Sequence, residues 1–208
     1  MARMTLWCGM PKIVDHDEQR QIMIDAMWRV VARDGAAAVS VRTVAAEAGL
    51  SKTGMSHYFE SQGQLLALAI EQSVATVTER IMELDVLNLG IADAAEALSA
   101  MIPTTPKRRR QGQVWLLLLA QENDPSVSRV LHALNMEVRS AIVDILSSLE
   151  ARGIIACNVE IEAAALHAII DGLSIMELTD RKLSKFSRAN AVVQAQLERL
   201  AIVSKSRV

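Results

Sequence analysis

The chain has 208 residues, of which 51% are hydrophobic, 22% are charged and only 3% are aromatic. Such a composition can bury a core, while 9 glycines and 4 prolines are too few for a turn-rich β-sandwich or barrel. The formal net charge of −2 excludes a strongly basic protein that binds nucleic acid through its overall field. We therefore expect an all-α protein.

No segment predicts a membrane span, a disulfide framework or a metal site. The longest apolar run, Val114 to Ala120, is far shorter than the roughly 20 residues that a bilayer requires. The two cysteines, Cys8 and Cys157, cannot form a disulfide framework or a metal site unaided. The N-terminus shows no signal-peptide core or cleavage site. We expect a cytoplasmic protein with reduced thiols, no cofactor and no metal.

Two helices and a tight turn are predicted near the N-terminus. Apolar residues recur at the spacing of one helix face between Asp17 and Asp34. Gly35 follows, at a place where a left-handed residue often ends a helix. Ser40 is a good N-cap for a second helix, Val41 to Ala48.

A third short helix, Lys52 to Phe59, completes a pattern typical of the helix-turn-helix. That motif joins two short helices by a three- or four-residue turn that often contains glycine. Gly49 can adopt the positive φ that such a turn needs, and Ala45 is small where the helices approach each other. Ser51 can cap the third helix, whose first residues would then face a DNA major groove.

Six longer helices are predicted beyond this motif. Their breaks fall at clusters of Asn, Asp, Pro and Gly, and the helices cover Gln64 to Leu87, Ala92 to Met101, Gly112 to Glu122, Ser126 to Ala151, Glu160 to Leu178 and Ser187 to Val203. The chain then has about nine helices. We expect a flexible tail at residues 1–15, a helix-turn-helix head at residues 16–63, and a body at residues 64–208.

A resemblance to a known family rests on residues 40–51, SVRTVAAEAGLS, and on residues 56–59, SHYF. These segments resemble the DNA-binding domain of the TetR family, and the second is similar to the BetI-type branch. Members of that branch include the choline-responsive repressor of betaine synthesis. Residues 169–173, IIDGL, resemble a late helix of the family. The resemblance spans Gln19 to Leu200 and implies a three-helix DNA-binding domain followed by a helical domain for ligand binding and dimerisation.

The resemblance places a set of head residues against double-stranded DNA. Helix N-termini, hydroxyls and guanidinium groups can hold phosphates, while the front of the third helix reads base edges. The candidates are Ser40, Arg42, Thr43, Lys52, Thr53, Gly54, Met55, Ser56, His57 and Tyr58. Each of them taken alone fits a solvated polar surface equally well.

Two departures from the family pattern concern phosphate contacts. Many members have Gly at the position of Thr53 and Lys at that of Gln62, and both positions commonly contact DNA phosphates. Affinity for the DNA backbone is therefore weaker here or depends on other residues. Residues 1–64 also carry equal numbers of basic and acidic side chains. We therefore expect few phosphate contacts and a shallow dependence of DNA affinity on salt.

Four consecutive basic residues, Lys107 to Arg110, follow two prolines. They could form a nucleic-acid patch, a solvated loop or a subunit contact. The resemblance places them in the ligand-binding domain, and positive charge at a helix N-terminus opposes the helix macrodipole. We therefore favour a solvated loop or a subunit contact.

The predicted effector pocket centres on the apolar helix that contains Trp115. A helix that is apolar on all faces is buried all round or forms a wall shared by core and pocket. The candidates are Met82, Trp115, Leu118, Leu119, His132 and Met136. Any of the Met or Leu residues could instead be ordinary core, and His132 a hydrogen-bonded, partly buried histidine.

Aromatic content bears on the nature of the effector. Quaternary ammonium ions such as choline are held by cages of aromatic rings. Beyond residue 64 the only aromatic residues are Trp115 and Phe186, too few for a cage. We expect a mainly apolar small molecule instead.

The last two predicted helices suit an interface between two copies of the chain. Small and apolar side chains recur along them, which favours close packing of four helices across a two-fold axis. The candidates are Ala165, Ile169, Gly172, Val193 and Leu197. Packing within one chain is the alternative. Two-fold symmetry would place the recognition helices about 34–36 Å apart, so that a dimer reads a palindromic operator.

The sequence thus predicts a ligand-responsive repressor that binds DNA as a homodimer and is released by a small effector. It contains no Gly-rich phosphate loop, no zinc-protease motif and no nucleophile elbow, so we expect no catalytic site and no enzyme. The alternative is a helical ligand-binding or adaptor protein with weak or lost DNA binding, which Thr53 and Gln62 keep open.

Overall fold

The computed structural model describes residues 16–51, 54, 57–59, 61–82, 88–180 and 189–201, with the backbone alone for 77–82. Over these ranges the chain forms eight α-helices and no β-sheet. They are α1 His16–Asp34, α2 Val41–Ala48, α3 Gln62–Met82, α4 Ile91–Ser99, α5 Pro106–Leu119, α6 Pro125–Ala151, α7 Val159–Thr179 and α8 Ala189–Leu200. The all-α prediction is confirmed. The expected tail, Cys8 and Phe186 lie outside the described residues.

The helix ends follow local capping rules. Asp124 caps α6 by accepting a hydrogen bond of 2.8 Å from Ser126 N, and Asn158 caps α7 by accepting one of 3.2 Å from Ile161 N. Gly49 ends α2 with a φ of 70°, in the left-handed region that glycine adopts without strain. Each of these caps can be read from the sequence because its partners lie within a few residues of each other.

The start of α5 differs from the prediction. The helix begins at Pro106 rather than Gly112, because Thr105 accepts a hydrogen bond from Arg108 N at 3.3 Å and a proline occupies the first helical turn. The basic run of residues 107–110 is therefore helical. The expectation of a solvated loop there is wrong.

A first hydrophobic core joins the head to part of the body. It contains residues of α1, α2, the first half of α3, the end of α5 and the first half of α6, among them Met23, Met27, Val44, Leu65, Leu66, Val114, Leu118, Val127 and Leu131. Gly63 is buried where α3 meets the α5–α6 corner, and a Cβ atom there would lie 2.7 Å from Val127 Cγ2. Packing is thus continuous across residues 63 and 64, where we expect a domain boundary.

A second core lies wholly in the body. It is formed by α4, the second half of α6, α7 and α8, and includes Leu98, Ile102, Ile142, Leu146, Leu149, Leu166, Val193 and Leu197. None of the described helices combines the length and the hydrophobicity that a membrane-spanning helix needs. The two cores meet along α6, whose first half belongs to one and whose second half belongs to the other.

Candidate DNA-binding and ligand sites

A cluster of charges fixes the two helices that support the turn of the head. Glu47 on α2 accepts a hydrogen bond of 2.9 Å from Arg29 Nε and one of 2.7 Å from Arg33 Nη1, both on α1. These two hydrogen bonds, with the one from Arg33 the larger cause, lower the pKa of the Glu47 carboxyl below its ordinary value. Both guanidinium groups are thereby engaged within the head.

Ser40 and Thr43 form a reciprocal capping box at the start of α2. Ser40 Oγ accepts from Thr43 N at 3.1 Å, and Thr43 Oγ1 accepts from Ser40 N at 2.9 Å. Thr43 Oγ1 also donates to the carbonyl of Ala38 at 2.8 Å. The Thr43 hydroxyl is thus engaged in hydrogen bonds that fix the start of α2.

Arg42 is exposed beside this capping box, and its side chain has no ion-pair or hydrogen-bond partner among the described residues. His57 is exposed as well. The Tyr58 ring is half-buried against the first core and lies 5.4 Å from the His16 ring, centroid to centroid. These positions leave Arg42 and His57 accessible to DNA.

The predicted third helix of the head is described at few positions. Gly54 is helical, and its N–H donates to Ser51 Oγ at 3.0 Å, the geometry of an N-terminal cap. The candidates Lys52, Thr53, Met55 and Ser56 lie outside the described residues.

Gln62 has a role that the sequence alone does not reveal. Its Nε2 donates to the carbonyl of Val39 at 2.7 Å, which ties the start of α3 to the loop that precedes α2. The side chain is thus engaged in the head itself.

A cavity of about 150 Å³ lies in the body, walled by α3, α5, α6, α7 and the loop after α4. Its lining is mainly apolar and contains Trp115, one of the residues that we expect at the effector pocket. The residues around it are Ile70, Ser73, Val74, Ala100, Met101, Pro103, Arg108, Gln111, Gly112, Trp115, Val138, Ile170, Asp171, Ser174 and Leu178.

The other described candidates for the pocket lie elsewhere. Leu118 and Leu119 follow Trp115 by about one turn of α5 and pack in or against the first core. His132 and Met136 are exposed on the outer face of α6, one turn apart. The Met82 side chain lies outside the described part of the structure. Trp115 is therefore the candidate that the structure places at the cavity.

Polar residues in the cavity wall were missed by the sequence prediction. Burial raises the pKa of the Asp171 carboxyl, and His167, whose Nε2 lies 3.8 Å from Asp171 Oδ2, partly offsets this effect. Arg108, Gln111 and Ser174 also line the cavity. A signal for Asp171 was present, because it is a lone acid in the middle of the apolar sequence of α7.

The basic run forms an ion pair between two helices of the body. Arg109 Nη2 lies 2.7 Å from Glu177 Oε2, and Nη1 donates to the Glu177 carbonyl at 2.6 Å. The Glu177 side chain is only 4% exposed and that of Arg109 is 25% exposed. This pair joins α5 to the end of α7 beside the cavity.

The predicted dimer residues divide into two groups. Val193 and Leu197 are fully buried in the second core, so the structure corrects their assignment to a subunit interface: they pack within one chain. Ala165 and Ile169 are half-buried, and Gly172 is exposed. The outer faces of the last two helices also expose the apolar side chains of Ile161, Ile175, Met176 and Val192.

Comparison with known families identifies the chain. Residues 23–69 match the family described as bacterial regulatory proteins, tetR family. Residues 91–201, more than half of the chain, match the BetI-type transcriptional repressor, C-terminal family. The chain belongs to the TetR family. The match of its body places the chain in the BetI-like branch, as the sequence predicts.

Relatives in this family cover nearly the whole chain. The transcriptional regulator PksA of Bacillus subtilis is 29% identical over 196 residues, which are 93% of this chain and 95% of the relative. BetI of Brucella suis is 29% identical over 195 residues, which are 89% of this chain and 92% of the relative. Membership in the TetR family makes the chain a DNA-binding transcriptional regulator.

A solved structure shows the same fold. The regulator from Saccharomonospora viridis, crystallised in complex with choline, superposes with a TM-score of 0.75. It is 20% identical, and the match covers 90% of this chain and 99% of that one. At 20% identity, this similarity shows only that the two chains share a fold, which includes both the head and the body.

Within the described residues no group of three metal-ligating side chains is present.

Proposed function

We propose that the chain is a ligand-responsive repressor that binds a palindromic operator as a homodimer and is released by a small effector with an apolar body. The observation that supports this most is the position of α5. Gly112 and Trp115 on this helix line the cavity, while Val114 and Leu118 are buried in the first core with the head. One helix thus contacts both the ligand site and the DNA-binding unit.

A second helix makes the same connection. Ile70 and Ser73 of α3 line the cavity, and Leu65 and Leu66, about one turn nearer the head, are fully buried in the first core. Because protein interiors are close-packed, a shift of α3 or α5 on ligand binding displaces the head. The effector must bind the state with low DNA affinity more tightly, and DNA then weakens effector binding by the same factor.

The size and lining of the cavity limit the effector. Its volume of about 150 Å³ is that of a cavity able to hold a single benzene-sized ring. Trp115 is the one aromatic ring in the described lining, whereas a quaternary ammonium cage requires several. These features support a small, mainly apolar effector over choline.

The outer face of α7 supports a dimer. Ile161, Ala168, Gly172 and Ile175 follow one another at helical spacing and are all exposed, and Val192 on α8 is exposed as well. Exposed apolar side chains along two helices suit an isologous interface with a second copy. A two-fold axis at this face would pair two heads on one palindrome.

We place this regulator in the cytoplasm, with the DNA that it binds.

A gel-shift experiment tests the proposal. The full chain is mixed at low salt with the DNA upstream of its own gene, and retardation of that fragment is expected. Replacement of Lys52 and Tyr58 by Ala should abolish the retardation, whereas Arg139→Ala, on α6, should leave it unchanged. An adaptor protein without DNA binding would fail to retard the fragment at all.

A further inference from the structure

Arg108 lies at the mouth of the cavity, where the cavity adjoins two clefts. It lines the cavity with Trp115, and it also lines both clefts, one between α4 and α8 and the other between α1, α3 and α5. Among the described residues, its side chain has no hydrogen-bond or ion-pair partner. A cation at the mouth of an apolar cavity is thus left for a ligand.

Two charged residues near Arg108 do have partners of opposite character. Arg109 is paired with the buried Glu177. Asp171, the carboxylate in the cavity, has the His167 imidazole 3.8 Å away. The cavity's acid therefore has a basic neighbour, while its guanidinium has no acidic one.

The two clefts at the mouth contain one acid each. Asp25 lines the cleft between α1 and α5 and accepts a hydrogen bond of 2.9 Å from Gln21 Nε2. Glu96 lines the cleft between α4 and α8. Neither forms an ion pair with Arg108, and Lys107 and Arg110 add two further cations on the α1–α5 side. The local balance at the mouth is positive.

We propose that the effector is an organic anion whose carboxylate or phosphate binds the Arg108 guanidinium while its apolar body lies in the cavity against Trp115. Guanidinium groups hold both anions by paired, charge-assisted hydrogen bonds. Arg108 and Trp115 are seven residues apart, about 10 Å along α5, a distance that the arginine side chain partly spans. Gln111 and Ser174 are polar residues of the same lining. This inference rests on the proposed function and names its ligand class.

The experiment measures binding of one-ring probes to the full chain by calorimetry. Benzoate and phenyl phosphate carry the two anionic groups, benzamide is neutral, and benzyltrimethylammonium is a cation. We expect at least one anion to bind about tenfold or more tightly than benzamide, because a charge-assisted hydrogen bond is stronger than a neutral one. The tighter of the two anions shows which head group the site prefers.

Two variants assign the effect to Arg108. Arg108→Gln should remove the preference for the anion, and Arg108→Lys should retain part of it. Arg110→Gln is the matched control, because it removes the same charge two residues away on α5. The Arg110 side chain lines the cleft between α1 and α5 and not the cavity. Wild-type affinity for the anion, and not for benzamide, should fall as salt is added.

Three results would overturn the inference. They are unchanged anion affinity in Arg108→Gln, binding of benzamide or the cation as tight as that of the anions, and no binding of either anion at millimolar concentration. A gel shift without any probe tests DNA binding by itself, so it separates failure of the ligand class from failure of the proposed function. Retardation without anion binding refutes the ligand class alone, and anion binding without any retardation of DNA refutes the regulator.

Discussion

Glu47 is the residue on which the geometry of the head depends, since it joins α2 to two arginines of α1. Its carboxyl pKa is lowered in the folded chain, so the stability it contributes is present above its ordinary pKa and is lost as the pH falls through the lowered value. We expect Glu47→Gln to melt at a lower temperature than wild type at neutral pH.

Thermal melts over a range of pH values check this prediction. The difference between Glu47→Gln and wild type should vanish in acid, where the wild-type carboxyl is protonated as well. Glu122→Gln, at an exposed position with no side-chain partner among the described residues, should melt like wild type throughout. A difference that persists in acid would contradict the role of the ion pairs.

Replacing the Asp171 carboxyl by an amide should change the melting temperature in the opposite direction. Burial raises its pKa in the folded chain, so ionisation destabilises the fold as the pH rises from the ordinary aspartate value through the raised one. Asp171→Asn stays neutral and should therefore melt at a higher temperature than wild type at neutral pH, with the two converging in acid. Calorimetric melts at neutral and at acidic pH measure the difference in melting temperature. A variant that is less stable than wild type at neutral pH refutes the prediction.

At the scale of helices, the Arg109–Glu177 pair joins α5 to α7. Removing one partner of a buried pair leaves the other charge poorly solvated, although Arg109 keeps some contact with water. We expect Glu177→Gln to lower the free energy of unfolding by about 2 kcal/mol. Denaturant titration measures the loss.

A second pair in the body serves as the control. Glu160 is 69% exposed and pairs with Arg139 at 2.7 Å. Exposed pairs contribute little, so Glu160→Gln should cost less than about 1 kcal/mol. Equal losses in the two variants would mean that burial does not distinguish the pairs.

The two helices α2 and α5 show what the sequence could predict. The bounds of α2 were predicted to the residue, because Ser40 and Gly49 mark its ends locally. The start of α5 was not, because four cations in a first helical turn are unfavourable unless something compensates them. Part of that compensation is Glu177, which is 68 residues away in sequence. Local rules cannot show such a partner.

The apolar pattern of α8 has the same limit. It indicated that Val193 and Leu197 are buried, which is correct. Periodicity shows that a face is covered and not by which chain, so the choice between core and dimer interface needed the structure. The cavity illustrates the point further, because Trp115 could be proposed from its apolar surroundings while Arg108 required three-dimensional proximity.

At the scale of the whole molecule, few cations among the described residues of the head are available for DNA. Arg29 and Arg33 are bound by carboxylates, and Arg42 is exposed without a partner in the described structure. We expect a shallow salt dependence of operator affinity, and Arg42→Ala should weaken binding and reduce the slope of log K against log salt by about one. Fluorescence anisotropy at several salt concentrations measures the slope, and Arg139→Ala should leave it unchanged.

The proposed dimer can be tested on α7. Ile175 is exposed within the apolar face of that helix. A charge at a desolvated apolar interface is costly, so Ile175→Glu should yield monomers in analytical ultracentrifugation and bind a palindrome far more weakly. Met136→Glu, at an exposed methionine of α6, is the matched control and should remain dimeric. Monomers from both variants, or from neither, would contradict an interface at this face.

The core shared by head and body limits how hybrid regulators can be built from this protein. A graft of residues 16–63 onto another ligand-binding body would leave behind Val114, Leu118 and Val127, which cover the head's own apolar residues. Gly63 would also meet a foreign side chain where it now touches Val127. The transferable unit therefore includes the α5–α6 corner, and a specificity swap is better made by exchanging DNA-facing side chains one at a time.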